Sequence, residues 1–267
     1  MFNIPMNTTG ALSADNLMAL NKPAAAPTAG QVPVQNVSQP MNTQPPQTFN
    51  QPMNTQPPQT FNQPMNTQPP AARQRPQGGG VRLKKGQKTS LSQMAPNLTQ
   101  LQVCLGWDLL NQACDLDASA FLLGAGDKVV GDDWFVFYGQ TLSPDGAVTH
   151  SGDSAGEGAG DDEIITIDLN RLDNRVQKIA FVVTINEARE RGQNFSMVTN
   201  AYVRVVNKSN GQELVKFMLS EYFASVTSMV VGELYNKGGQ WRFNPVGNGF
   251  AHDLAGLCGV YGVNVAD

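Results

Sequence analysis

Tyr202-Val203-Arg204-Val205-Val206-Asn207-Lys208-Ser209-Asn210-Gly211-Gln212-Glu213-Leu214-Val215-Lys216-Phe217-Met218-Leu219 sets two apolar-rich runs on either side of Asn210-Gly211. An Asn-Gly pair supplies positive φ angles at little steric cost, so the stretch predicts two antiparallel strands joined by a tight hairpin, over 197–206 and 213–219. Working outward, the same grammar recurs. Ser143-Pro144-Asp145-Gly146 fits a type I or II turn, and Lys237-Gly238-Gly239 precedes the short run Trp241-Arg242-Phe243. Eleven strands are expected in all, over 88–91, 101–107, 116–123, 134–138, 147–150, 163–168, 178–185, 197–206, 213–219, 229–235 and 240–243. Many short strands with explicit turn chemistry indicate an all-β, two-sheet β-sandwich. Phe250, Leu254, Leu257 and Tyr261 recur at helical spacing, so a short amphipathic C-terminal helix closes the domain.

The pattern starts abruptly at Val81, and fourteen of the seventeen prolines lie before it. Residues 1–80 are too polar and too Pro-rich to offset the entropy of ordering themselves, which predicts a disordered Pro/Gln/Asn-rich arm. Within it, Met-Asn-Thr-Gln-Pro-Pro-Gln-Thr-Phe-Asn-Gln-Pro runs from Met41 to Pro52, repeats from Met53 to Pro64, and begins again at Met65. A twelve-residue period this rich in proline reads as an extended tether, not a solenoid unit. Residues 81–267 form the folded domain and carry a net charge of −6, which disfavours nucleic acid as a partner. No basic stretch leads into an apolar run at the N-terminus and no eighteen-residue apolar stretch occurs, so a cytoplasmic location is expected. Cys104, Cys114 and Cys258 are too widely spaced for a metal knuckle and read as reduced, partly buried thiols.

Between Asp108 and Glu163 there are twelve carboxylates and one Lys or Arg, Lys128. In Asp115-Leu116-Asp117-Ala118-Ser119 the strand alternation puts Asp115, Asp117 and Ser119 on one face, with successive stems about 6.5–7 Å apart. Like charges at that spacing repel, and a bound dication relieves them. The run Gly152-Asp153-Ser154-Ala155-Gly156-Glu157-Gly158-Ala159-Gly160-Asp161-Asp162-Glu163 interleaves acids with glycines whose backbone can wrap an ion. Calcium, with six to eight oxygen ligands and tolerant geometry, fits better than magnesium; zinc would want His or Cys. The candidate ligand pool is therefore Asp115, Asp117, Asp153, Glu157, Asp161, Asp162 and Glu163, for one or two calcium ions. The bland alternative is a solvated acidic face. An EF-hand is excluded, since the sixth position after the Asp115 start is Ala120 and the twelfth is Gly126. Gly156-x-Gly158-x-Gly160 is no phosphate loop either, because acids flank it and no helix pattern follows.

These residues resemble the TerD family of tellurite-resistance and stress proteins. The likeness covers nearly all of 81–267 and rests on Leu105-Gly106-Trp107-Asp108, Asp115-Leu116-Asp117-Ala118-Ser119-Ala120-Phe121, Ser143-Pro144-Asp145-Gly146-Ala147-Val148, Gly156-Glu157-Gly158, Gly160-Asp161-Asp162-Glu163, Gln193-Asn194-Phe195, Gly232-Glu233-Leu234-Tyr235 and Val246-Gly247. It implies a β-sandwich binding calcium through acidic loops, and a part in resistance to tellurite and to envelope or oxidative stress. It also implies partners within the same resistance system, some of them membrane-bound, which would bring the protein to the inner face of the membrane. The repeated arm is outside the family pattern, and Gly152-Asp153-Ser154-Ala155 is one residue shorter than the family's loop.

Catalysis is not expected. Asp115 and Asp117 are spaced suitably for glycoside hydrolysis, but nothing around them would raise one carboxyl's pKa, and aromatic platforms for a sugar are few. His150 reads as an exposed strand-end histidine, the alternative being a residue that supports the ion's ligands from behind; His252 falls in the terminal helix, and neither has triad support. The rival to a calcium-dependent stress protein is an adaptor whose repeat arm recruits partners, with metal only structural.

Overall fold

The computed structural model describes residues 12–13, 79–110, 114–152, 160–219 and 224–266. The repeats of the arm lie outside these. Leu12–Ser13 forms a short strand, β1, parallel to Val265–Ala266. The domain then runs through β2 (Val81–Leu83), β3 (Thr89–Ser90), α1 (Leu91–Met94), β4 (Gln100–Leu109), β5 (Leu116–Leu123), β6 (Phe135–Val136), β7 (Val148–His150), β8 (Glu163–Asp168), β9 (Lys178–Ile185), β10 (Val198–Asn207), β11 (Gln212–Met218), β12 (Ser228–Lys237), β13 (Gln240–Phe250), α2 (Leu254–Tyr261) and β14 (Val265–Ala266).

Two six-stranded sheets carry the fold, in the orders β2-β11-β10-β4-β8-β7 (sheet I) and β3-β13-β12-β9-β5-β6 (sheet II). The β10–β11 hairpin forms where Asn210-Gly211 predicts it, with Gly211 at φ 71° and a register shift between Val205 and Val206. Each of the eleven expected strands has a counterpart, the 147–150 and 134–138 runs shortened to three and two residues of β7 and β6. The expectation missed the two- and three-residue strands β1, β14 and β2, the last recruited parallel to β11 at the sheet edge. So short a run carries too little alternation to read.

Between the sheets the core is filled from both inner faces. Leu101, Val103 and Leu105 of β4, Ile165 and Ile167 of β8, and Val203 and Val205 of β10 meet Ala118, Ala120 and Leu122 of β5, Ile179, Phe181 and Val183 of β9 and Phe243 of β13. Sheet II is also covered on its outer face. Phe121, Leu123, Phe135, Phe137, Ala180 and Val182 pack there against Leu254, Leu257 and Cys258 of α2. Stacked rings at 4.3 Å (Phe121–Phe135) and 4.7 Å (Phe135–Phe137) extend this second cluster, and Tyr261 at 4.5 Å from Phe121 ties the helix to it. Asp253 caps α2 by accepting the Gly256 N–H, and Gly262 ends it at φ 80°. Burial on both faces explains why β5 is buried at all eight positions despite its alternating sequence. Among the described residues no helix is long and apolar enough to cross a membrane.

Candidate metal centre

The acidic motifs meet at one end of the sandwich, where β4 and β7 finish and β5 and β8 begin. The reason is an incomplete strand. β6 pairs with β5 only at Ala120 and Phe121, so among the described residues Leu116 to Ser119 has β9 on one side and no strand on the other. A buried peptide left without partners would be costly. Two side chains of sheet I supply what a strand would. The Glu163 carboxylate accepts the Ala118 N–H through Oε2, and His150 Nε2 lies 3.1 Å from the Ala118 carbonyl. Gly152 N–H donates to His150 Nδ1 at 2.9 Å, so the ring proton belongs on Nε2, which donates to Ala118 O and lies 3.5 Å from Glu163 Oε2.

His150 is therefore not the exposed strand-end residue expected from sequence; it is 3% exposed. Val148 and His150 point inward from β7 while Thr149 points out. Period-two alternation from the apolar Val148 carried that information, and the expectation ignored it.

Three consecutive acids take three different roles. Asp161, 2% exposed, turns to the outer face of sheet I, where it receives Arg204 Nε at 2.9 Å, Arg204 Nη2 at 2.5 Å and the Tyr202 hydroxyl at 2.7 Å. Burial alone would lower the Arg204 pKa, but the hydrogen bonds and charge of Asp161 more than reverse this and raise it. Beside it, the Cys104 thiol is pushed up to about 12 by burial and by the Asp161 charge. Asp162 accepts the Trp107 N–H at 2.7 Å and donates its own N–H to Leu105 O at 2.8 Å, fastening the start of β8 to the end of β4. Glu163 reaches through the sandwich to β5.

Asp117 is 9% exposed and sits on the outer face of sheet II opposite Thr184 of β9. Glu163 Oε2 touches the peptide joining Asp117 to Ala118, so these two acids flank a single peptide unit. Ser119, on the same face as Asp117, is 2% exposed, and its Oγ has no hydrogen-bond partner among the described residues. Asp115 is exposed and accepts Asn186 Nδ2 at 3.2 Å. Asp153 and Glu157 lie outside the described residues. The flanks of their loop are fixed, however: Gly152 by His150 and Gly160 through its carbonyl, which accepts the Tyr202 hydroxyl at 2.6 Å.

Among the described residues, no three His, Cys, Asp or Glu side chains close on a common point. The donor chemistry still selects among metals. Both His150 nitrogens are occupied, and Cys114, Cys104 and Cys258 are buried with their thiol pKa values raised by burial. Soft metals thus find no ligands here, whereas carboxylate oxygens and an orphaned buried hydroxyl suit a hard dication. Oxygen donors of this kind match the chemistry of calcium. Asp115, Asp117, Asp162, Glu163 and Ser119 are the described groups that would hold it, with Asp161 engaged by Arg204.

Residues 80–261 match the TerD domain family model. Over 190 residues the chain is 46% identical to the Tellurium resistance protein TerD of Serratia marcescens, covering 70% of this chain and 99% of that protein. It is 47% identical over 190 residues to the Tellurium resistance protein TerD of an Alcaligenes species, with coverage of 70% and 99%. Over 132 residues it is 49% identical to the Chemical-damaging agent resistance protein B of Clostridium acetobutylicum, covering 49% of this chain and 95% of that protein. With its two-sheet sandwich, its acidic end and a family match spanning nearly the whole folded part, the chain belongs to the TerD family.

Proposed function

We propose that this protein is a calcium-binding, non-enzymatic stress-response protein that takes part in resistance to tellurite and to related chemical or envelope damage. The reading rests on one observation above all: Glu163 of sheet I accepts the N–H of Ala118, the residue that follows Asp117 of sheet II, so two separate acidic stretches are brought into contact. Bound there, calcium would neutralise charges that otherwise repel. The protein's own part is to hold Asp117, Asp162 and Glu163 in place and to bring the loop carrying Asp153 and Glu157 to them. Asp115, just before β5, and Ser119 within it are further oxygen donors. Asp161 contributes by anchoring the loop's end to Arg204.

Ordering of that loop would present a surface to other proteins of the resistance system, including membrane-bound ones, from the cytoplasmic side.

Calorimetric titration of the metal-stripped full-length protein tests this reading. Calcium should bind with measurable heat and raise the melting temperature, magnesium should do so more weakly, and Asp117→Asn should remove most of the calcium response. At a free calcium concentration of 100 times Kd the stabilisation should be about 2.7 kcal/mol. If neither ion gives heat or stabilisation, the assignment is wrong. In cells lacking the endogenous protein, the unsubstituted chain should restore tellurite tolerance and Asp117→Asn should not.

A further inference from the structure

We infer that His150 is a positioning residue that ties Gly152 and Glu163 to β5, so that these two residues and the Asp117–Ala118 peptide are held in register before any ion arrives. The inference rests on the calcium reading and adds to it a residue that is not itself a ligand. Three contacts carry it. The ring receives the Gly152 N–H on Nδ1 at 2.9 Å, and Gly152 is the residue from which the loop departs. Through Nε2 it meets Ala118 O at 3.1 Å, on the residue that follows Asp117. The same nitrogen stands 3.5 Å from Glu163 Oε2, the atom that accepts the Ala118 N–H. One imidazole thus joins β5, β8 and the loop's first residue, with a side-chain exposure of 0%.

The arrangement needs both faces of the ring at once. Only the tautomer with its proton on Nε2 can donate to Ala118 while accepting from Gly152. A carboxamide also carries a donor and an acceptor on one carbon, but the imidazole places one nitrogen near the backbone and the other at its tip, pointing apart, which neither Asn nor Gln reproduces. A merely structural histidine would make the same two bonds, so it is the calcium affinity of its variants that distinguishes a positioning role. Residues that orient metal ligands through hydrogen bonds typically cost 10–100-fold in affinity when replaced, and that range sets the expectation here.

Two half-substitutions separate the contacts. His150→Gln retains a terminal N–H donor at about the reach of Nε2 but offers nothing in the Nδ1 position, whereas His150→Asn retains an acceptor near Nδ1 but does not reach Ala118. In the full-length protein, Kd for calcium would be measured by calorimetry at a temperature where each variant is folded, alongside amide exchange at Gly152 in the metal-free state. Both variants should bind calcium at least about tenfold more weakly. Gly152 should exchange faster in His150→Gln than in His150→Asn, and ring nitrogen shifts of the unsubstituted, metal-free protein should report the Nε2–H tautomer. Unchanged Kd in both folded variants would overturn the coupling and leave the calcium reading standing. No calcium binding by the unsubstituted protein would remove both.

Discussion

Asp161→Asn separates a carboxylate that holds the fold from carboxylates that hold an ion. Asp161 is 2% exposed and accepts a two-pronged guanidinium contact from Arg204, whose side chain is 14% exposed, together with the Tyr202 hydroxyl. Removing the charge leaves Arg204 largely buried beside a neutral amide, one end of which is itself a donor facing N–H groups. Breaking a buried pair from one side typically costs about 3–5 kcal/mol. Glu213 Oε2 remains 3.3 Å from Arg204 Nη1 and partly compensates, so the lower end applies, about 3 kcal/mol. For a domain of this size that corresponds to a fall in melting temperature of about 6–12 °C. Urea unfolding of the metal-free protein measures it directly, and the double variant Asp161→Leu/Arg204→Met should be less destabilised than the sum of its single changes, because neither charge of the Asp161–Arg204 pair is then left buried without the other. A loss below about 1 kcal/mol in metal-free protein, accompanied by loss of calcium binding, would show that Asp161 ligates the ion and that the Arg204 pairing is incidental.

Gly232→Ala should cost about 1–3 kcal/mol by overpacking, since a Cβ there would lie 2.5 Å from Phe243 Cζ; chemical denaturation checks this, and Phe243→Leu should recover part of the loss. Asp173 is held down to about 2 by its hydrogen bonds with Arg175, so its contribution to stability is present above the ordinary carboxylate range and disappears as pH falls through about 2. Arg175→Ala should return the Asp173 carboxyl toward its ordinary value in an NMR titration. The Cys104 and Cys258 thiols are pushed up to about 12 by burial, so neither should react with a thiol reagent at pH 8 until the chain is unfolded. Rapid labelling of either in the folded protein would contradict their placement.

Much of the architecture was legible because strands advertise themselves locally. Asn210-Gly211 marks its hairpin through φ angles that few other residue pairs adopt, and the same holds for Lys237-Gly238-Gly239 between β12 and β13. Leu254 and Leu257 announced α2 by spacing, although Phe250 belongs to the end of β13 instead. The acidic window was equally visible as a count of charges. Its internal assignment was not. Asp161, Asp162 and Glu163 are chemically interchangeable in the sequence, yet they serve an arginine, a backbone amide of β4 and a backbone amide of β5.

From sequence alone follow the β-rich class, the turns, the terminal helix and the concentration of negative charge, because each depends on residues within a few positions of one another. Only the tertiary structure decided that sheet II is covered on both faces, that β6 stops short of Ala118, and that His150 and Glu163 complete the edge it leaves. Those outcomes depend on which distant segments pack together to satisfy buried peptide groups, a requirement set by the whole fold and carried by no single stretch of chain.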